Sequence, residues 1–201
     1  MAQQESQGSK TAEQSSSGLW IVGIGASAGG LEAFEQFLTN MPPDTNMAFV
    51  IVQHLDPNRK SMLVELLQRY TRMKVSQVQN KTKVKANEIY IIPPNRDMML
   101  KNQILHLVEP VAPRASRLAV DYFFRSLAED QREKAIGIIL SGTGADGTLG
   151  LQAIKGEGGM VMVQSPESSR YSGMPTNAIN TSMVDFVLSP EEMPQQLIRY
   201  I

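Results

Sequence analysis

The sequence predicts an α/β protein in which a doubly wound, mostly parallel sheet is flanked by helices. Short apolar runs alternate along the chain with stretches whose apolar residues recur at helical spacing. Such alternation is typical of strand and helix units that wind a parallel sheet. Two extended runs around a short turn interrupt it near the middle of the chain, and they predict an antiparallel hairpin appended to the sheet.

The first part of the chain predicts two consecutive strand–helix units. LWIVGIG (residues 19–25) and MAFVIVQH (47–54) are apolar runs of strand length. LEAFEQFL (31–38) has apolar residues on one helical face, and the prolines of the following MPPD end that helix because proline cannot continue it. SMLVELLQRY (61–70) has a second apolar face and begins after Pro57, so it predicts the second helix.

The rest of the chain begins with the hairpin and then resumes the alternation. EIYIIPP (88–94) is a short extended run. DMMLKNQILHLVE (97–109) predicts the hairpin, with its turn at Lys101–Gln103, and we assign His106 within it to packing or surface. A helix, a strand, a helix, two strands and a final helix follow: SRLAVDYFFRSLAED (116–130), AIGIILSG (135–142), GTLGLQAIKGEG (147–158), GMVMVQ (159–164), VDFVLS (184–189) and PEEMPQQLIRYI (190–201).

Length, composition and charge restrict the class of protein. A chain of 201 residues, 42% of them hydrophobic, can form one substantial core, so we predict one domain over residues 19–201. Residues 1–18 are rich in Gln, Ser and Gly, and they predict a disordered tail or linker. Lys and Arg number 19 against 20 for Asp and Glu, which gives no overall basic field for nucleic acid or an anionic membrane. Without a membrane-spanning run or a signal segment, we expect a soluble, cytoplasmic protein with no membrane insertion.

The residue types that are absent or rare restrict the chemistry. The chain has no cysteine, which excludes disulfides, thiolate nucleophiles and sulfur-ligated zinc. Its two imidazoles are His54 and His106. We predict neither a metal site nor a bound cofactor.

The stretch LWIVGIGASAGGLEAF (19–34) satisfies two different patterns. From Gly23 it is G-x-G-x-x-A, the pattern of dinucleotide-binding domains, and from Gly25 it is G-x-S-x-G, the nucleophile elbow of hydrolases. A dinucleotide site needs an acidic residue at the end of the second strand, where this chain has Gln53 and His54. The sequence therefore favours the nucleophile elbow, with a dinucleotide-binding domain as the alternative.

Three polar residues follow three different predicted strands. Ser27 follows the first strand, His54 ends the second, and Asp146 lies in the loop SGTGADG after the strand AIGIIL. In a doubly wound sheet these positions share one edge, and a hydroxyl, an imidazole and a carboxylate are the groups needed for acyl transfer. Taken singly, Ser27 also fits a helix N-cap, His54 a polar strand end and Asp146 a turn. Their chain order differs from that of the α/β-hydrolases, which implies an independent fold.

The motifs GIGASAGG, VQHL, ANEIYIIPP, LSGTGADGTLG and GMPTNAI occur in this order and together resemble the catalytic domain of the CheB-type chemoreceptor methylesterases. The resemblance spans residue 19 to the last helix. It implies hydrolysis of glutamate γ-methyl esters on the cytoplasmic helices of methyl-accepting chemoreceptors, with release of methanol and often with deamidation of receptor glutamines. Ser27 resembles the nucleophile, His54 the general base and Asp146 its orienting carboxylate.

The chain departs from the resembled family at two positions. Ala28 stands where threonine is frequent, and Thr143 stands where methionine is frequent. Backbone N–H groups can serve an oxyanion hole whatever the side chain, so we expect Ala28, with Thr143 or Gly144, to supply the donors. The SGTG variant and the lack of an upstream receiver domain resemble members fused to a receptor methyltransferase, so we expect this chain to be one piece of a longer polypeptide.

We also predict residues that contact the substrate, and we consider a non-catalytic role. A receptor helix must lie across the edge of the sheet, and we predict that Arg114, Arg117 and Arg170 form part of its binding rim, although solvated surface charges would look the same in sequence. The alternative to catalysis is a module that docks on receptors without reacting. The presence of all three triad residue types favours the enzyme.

Overall fold

A seven-stranded parallel sheet forms the centre of the protein. The computed structural model describes residues 18–53, 62–111 and 117–201. Along the sheet the strand order is β10-β9-β8-β1-β2-β5-β3, and every neighbouring pair is parallel. The strands of this sheet are β1 (Trp20–Ala26), β2 (Met47–Gln53), β3 (Lys74–Gln77), β5 (Glu88–Ile91), β8 (Ala135–Ile139), β9 (Met160–Gln164) and β10 (Phe186–Leu188).

Helices cover both faces of this sheet. They are α1 (Gly30–Thr39), α2 (Leu63–Gln68), α3 (Ala119–Gln131), α4 (Thr148–Gly156), α5 (Gly173–Ile179) and α6 (Met193–Tyr200). Buried side chains of α3, α4 and α5 belong to one hydrophobic core, and those of α1, α2 and α6 belong to a second core. This arrangement confirms the doubly wound α/β fold.

The central strand β1 contributes to both cores. Ile21 packs in the core of α3, α4 and α5, whereas Val22 and Ile24 pack in the core of α1, α2 and α6. Side chains alternate between the two faces of a strand, and here both faces are covered by helices. This explains why the strand reads in the sequence as a continuous apolar run.

The predicted hairpin is present and forms part of a second, smaller sheet. It consists of β6 (Asp97–Lys101) and β7 (Ile104–Val108), joined by Asn102 and Gln103 with φ values of 52° and 59°. Positive φ at both central residues is the geometry of a tight hairpin turn whose twist matches the flanking strands. A short strand, β4 (Thr82–Lys83), pairs with β7 and makes this sheet three-stranded. His106 is half-buried on β7, opposite Met99.

Some short elements were not predicted from the sequence. Helix α5 has seven residues, of which only Met174, Pro175 and Ala178 are buried, so it is too short for a helical period to show. Strand β3 lies at the edge of the sheet with one buried residue, Val75, and its sequence KVSQ has no apolar run. Predictions for residues 1–17, for the start of the second helix and for His54 lie outside the described residues. No helix within the described ranges is long and apolar enough to span a membrane.

Candidate active site

The carboxyl ends of the central strands bring Ser27 and the loop that carries Asp146 to one edge of the sheet. Strands β1 and β8 are neighbours, with Gly25 opposite Ile139, so Ser27 and the loop after β8 (residues 141–147, the β8–α4 loop) emerge side by side. Strand β2 flanks β1 on the other side and ends at Gln53, opposite Ala26. His54 directly follows Gln53 but lies outside the described residues.

Ser27 lies in a tight turn between β1 and α1. Its backbone N–H donates to the carbonyl of Ser141 at 3.0 Å, and its carbonyl accepts the N–H of Gly30 at 3.1 Å. The N-cap of α1 is Gly29, with φ 75° and no side-chain capping hydrogen bond. The capping interpretation of Ser27 is therefore wrong, and the strand–turn–helix context is the one that a nucleophile elbow requires.

Two glycines allow the turn at Ser27 to lie against the β8–α4 loop. A Cβ atom on Gly29 would lie 2.6 Å from Ser141 Oγ. A Cβ atom on Gly142 would overlap the sulfur of Met174 and would lie 3.1 Å from the Cβ of Ser27. The positive φ of Gly29 and its closeness to Ser141 favour glycine there, whereas a side chain at Gly142 would require Met174 and Ser27 to shift.

Asp146 is buried and holds the first turn of α3. Its exposed fraction is 6%. Oδ2 accepts the backbone N–H of Val120 at 3.0 Å, and Oδ1 accepts that of Asp121 at 2.9 Å. These two N–H groups have no partner within their own helix, so the carboxylate caps α3 from a distance. A carboxylate offers about four acceptor positions, which leaves room for an imidazole N–H as well.

A second buried carboxylate, Asp121, accepts a hydrogen bond from the helix that follows Asp146. It is 3% exposed, and its Oδ1 accepts the N–H of Gly150 in the first turn of α4 at 2.6 Å. Asp146 precedes α4 and caps α3, whereas Asp121 belongs to α3 and caps α4, so the two helices cap each other. Burial and the charge of Asp146 raise the pKa of Asp121, and the hydrogen bond from Gly150 opposes this shift.

Sequence reasoning missed Asp121 although the sequence carried a signal for it. The predicted helix at residues 116–130 has Val120, Phe124 and Leu127 on its apolar face, and Asp121 lies three positions from Phe124. A carboxylate bordering a buried stripe indicates a specific hydrogen-bond partner.

Backbone N–H groups suited to binding an oxyanion lie beside Ser27. Among the described residues, no acceptor receives the N–H of Ala28 or that of Thr143. The N–H of Ser27 itself is excluded because it already donates to Ser141. Gly144, the third predicted residue, has φ 79°, and its carbonyl accepts a hydrogen bond from Asn177 at 2.9 Å.

A cleft of about 500 Å³ opens next to Ser27. Its lining includes Ser27, Ala28 and Gln53. Charged side chains of both signs also line it: Glu32, Glu35 and Arg170. The cleft is therefore an open, charged depression beside Ser27.

Residues 22–197 match the family model described as CheB methylesterase. The chain belongs to the CheB methylesterase family. It is thus a member of a family of hydrolases, and the matched residues lie within the predicted domain of residues 19–201.

Known CheB proteins resemble the chain over most of its length. A putative protein-glutamate methylesterase/protein-glutamine glutaminase of Leptospira interrogans is 32% identical over 177 residues, which cover 88% of this chain and 92% of that protein. A protein-glutamate methylesterase/protein-glutamine glutaminase of Trichodesmium erythraeum is 33% identical over 187 residues, 91% of this chain and 53% of that protein. The crystal structure of the Thermotoga maritima CheB methylesterase catalytic domain superposes with a TM-score of 0.86 at 30% identity, covering 92% of this chain and 100% of that one.

The arginines predicted to bind substrate have different positions in this CheB domain. Arg170 is exposed in the cleft beside Ser27, and its guanidinium lies 5.9 Å from the centre of the Tyr171 ring. Arg117 lies with Nε 3.8 Å from Asp97 Oδ1, and its side chain is only 17% exposed. Arg114 lies outside the described residues. Arg170 is therefore the described arginine best placed for a ligand, and the contact with Asp97 favours a structural role for Arg117.

The described part of the CheB domain contains no candidate metal site. No group of three or more His, Cys, Asp or Glu side chains lies close enough there to hold a metal ion.

Proposed function

We propose that this CheB domain hydrolyses glutamate γ-methyl esters on the cytoplasmic helices of chemoreceptors, with Ser27 as nucleophile, His54 as general base and Asp146 as its orienting carboxylate. The observation that carries the proposal is the turn at Ser27, where this serine precedes a helix, is not its N-cap residue and borders an open cleft. The activity for which the similar Leptospira and Trichodesmium proteins are named supports this substrate class.

The reaction begins with formation of an acyl-enzyme. His54 takes the proton of the Ser27 hydroxyl as its oxygen attacks the γ-carbonyl carbon of the ester. Asp146 accepts the second imidazole N–H and stabilises the imidazolium. The negative charge that develops on the carbonyl oxygen is bound by the N–H of Ala28 and by that of Thr143 or Gly144.

The intermediate then releases methanol and is hydrolysed. The bond from the carbonyl carbon to the methoxy oxygen breaks, and His54 returns its proton to that oxygen, which leaves a glutamyl ester on Ser27. Water, deprotonated by His54, attacks this ester and frees the glutamate carboxylate and the Ser27 hydroxyl. With a glutamine side chain in the cleft, the same steps release ammonia, and this is the proposed deamidation.

The substrate is a receptor helix that lies across the strand-end edge. Arg170 offers a cation to the acidic side chains of such a helix, and Glu32 and Glu35, which also line the cleft, repel a free carboxylate. The proposed link to a methyltransferase domain in a longer polypeptide rests on the SGTG form of the loop.

The proposal is tested by methanol release from a methyl-esterified receptor fragment. We expect Ser27→Ala to lower turnover by about 10⁴- to 10⁶-fold, because the acyl-enzyme cannot form without the hydroxyl. Ser76→Ala, on the edge strand β3, is the matched control and is expected to keep the wild-type rate.

Turnover near the wild-type value in folded Ser27→Ala would reject the triad. Wild type that binds the fragment but releases no methanol would favour the docking module. A melting temperature that rises with the logarithm of NAD concentration would favour the dinucleotide-binding alternative.

A further inference from the structure

Ser141 is a buried serine that contacts the nucleophile turn through two different atoms. Its exposed fraction is 1%. Its carbonyl accepts the N–H of Ser27 at 3.0 Å, and its hydroxyl donates to the carbonyl of Ala28 at 2.9 Å. One residue of the β8–α4 loop therefore holds both the proposed nucleophile and the residue proposed to bind the oxyanion.

The same hydroxyl reaches the segment that carries the cleft arginine. Ser141 Oγ accepts the N–H of Tyr171 at 3.0 Å and lies 3.3 Å from the Tyr171 carbonyl. That carbonyl already accepts the N–H of Gly142 at 2.9 Å, so the single hydroxyl proton is directed to the closer carbonyl of Ala28. Tyr171 follows Arg170, so the segment that carries this cleft-lining arginine is tied through Ser141 to the turn at Ser27.

Ser141 is itself held in place from the neighbouring strand. Its N–H donates at 2.8 Å to Oε1 of Gln164, which ends β9 and is 2% exposed. Nε2 of Gln164 donates in turn to the Ser168 carbonyl at 3.0 Å. Because the N–H and the carbonyl of Ser141 are both hydrogen-bonded, its hydroxyl has a defined position.

These bonds fix the two peptide groups on either side of the catalytic one. The Ser141 carbonyl holds the peptide between Ala26 and Ser27, and the Ser141 hydroxyl holds the peptide between Ala28 and Gly29. The peptide group between Ser27 and Ala28 carries the N–H proposed for the oxyanion and lies between these two anchors. Its own carbonyl accepts the Gly30 N–H at 3.1 Å, so its direction depends on Gly30 and on both groups of Ser141.

We propose that the hydroxyl of Ser141 is a positioning group for the acyl-transfer reaction. It orients the Ala28 N–H and the Ser27 side chain relative to the wall of the cleft, and it touches neither the substrate nor the reacting atoms. This inference rests on the proposed function and assigns to that site a residue that sequence reasoning left without a role.

A matched pair of variants separates positioning from stability. Ser126 on α3 is a second buried serine with the same bonding pattern: its Oγ accepts the Leu100 N–H at 2.9 Å and donates to the Phe123 carbonyl at 2.7 Å. Ser141→Ala and Ser126→Ala each remove one buried hydroxyl, and we expect them to lower the melting temperature similarly.

The values of kcat and KM for methanol release are measured separately for each variant, at a temperature at which all the proteins are folded. We expect Ser141→Ala to lower kcat by about 10- to 100-fold, because small misplacements of reacting groups cost rates of this size, and to change KM by less than about twofold. Ser126→Ala is expected to keep the wild-type kcat. Ser141→Thr retains a hydroxyl and is expected to recover most of the lost rate.

A wild-type kcat in Ser141→Ala, or equal losses of kcat in the two alanine variants, would overturn the positioning role. If Ser141→Ala does not fold, Ser141→Cys gives the same comparison, because a thiol is a weaker donor of similar shape. Ser27→Ala is assayed in parallel. Inactive wild type, or active Ser27→Ala, would overturn the proposed function and this inference with it, whereas active wild type with inactive Ser27→Ala isolates the role of Ser141.

Discussion

At the scale of single residues, Asp121 and Asp146 place two carboxylates close together in a buried region. Each accepts backbone N–H groups from the first turn of the other's helix. Those N–H groups lie at the positive end of a helix dipole, which offsets part of the cost of burying negative charge. The remaining cost is visible in the raised pKa of Asp121.

This raised pKa predicts how stability depends on pH. Burial, and then the charge of Asp146, lift the pKa of Asp121 in the folded protein above its ordinary value of 3.8. At a pH between the pKa of Asp121 in the unfolded protein and its pKa in the folded protein, the folded protein binds more protons. The contribution of Asp121 to stability is therefore present below pH 3.8 and is lost as the pH rises through the pKa of the folded state.

Asp121→Asn removes the titration but keeps an oxygen to accept the Gly150 N–H. We expect the free energy of unfolding of wild type, relative to this variant, to fall as the pH is raised from about 3 to about 7. Urea unfolding at a series of pH values measures it. A constant difference between the two proteins would contradict the raised pKa, and Asp121→Ala, which loses the cap, is expected to be less stable than Asp121→Asn throughout.

At the scale of elements, the β8–α4 loop has a structural task in addition to its proposed chemical one. Asp146 in this loop supplies the partners for two N–H groups of α3, a helix of 13 residues that has no capping hydrogen bond from a side chain at its own N-terminus. The helix start and the proposed triad therefore depend on one carboxylate.

Substitutions of Asp146 are expected to separate these two tasks. Asp146→Ala removes both acceptors and is expected to lower the free energy of unfolding by about 1–2 kcal/mol. Asp146→Asn keeps one oxygen and is expected to lose less stability, yet both variants should lose about four orders of magnitude in turnover. Urea unfolding and methanol release measure the two effects, and an Asp146→Asn protein with wild-type turnover would remove this residue from the triad.

At the scale of the whole molecule, the sheet connects the two hydrophobic cores. Successive residues of β1 enter opposite cores, with Ile21 on one side and Ile24 on the other. Neither core can lose its helices without exposing side chains of this shared strand, so we expect the described domain to unfold as one cooperative unit.

Two probes test this cooperativity. Trp20 is the single tryptophan and lies 5.9 Å from the Tyr200 ring, so its fluorescence reports the start of β1 and the end of α6. Far-ultraviolet circular dichroism reports all helices. We expect the two signals to follow one urea transition, and Ile21→Val and Ile24→Val each to lower stability by about 0.5–1.5 kcal/mol. Two separated transitions would show that the cores unfold independently.

We could predict from the sequence alone the alternation of strands and helices, the hairpin, and the placement of Ser27 and Asp146 after two different strands. These features leave a local trace, because a strand or helix imposes its period on residues that are close along the chain. The short elements β3 and α5 have too few buried residues to leave such a trace, and they were found only in the structure.

The contacts that hold the candidate site in place exist only in the folded protein. The hydrogen bond from Ser141 to Ala28 joins residues 113 positions apart, and the caps exchanged by Asp121 and Asp146 join helices that are separate in the chain. Hydrogen bonds between distant residues follow from how loops meet at the edge of the sheet. Neither periodicity nor neighbouring residues indicate them, so the proposed nucleophile could be predicted from the sequence and the groups that support it could not.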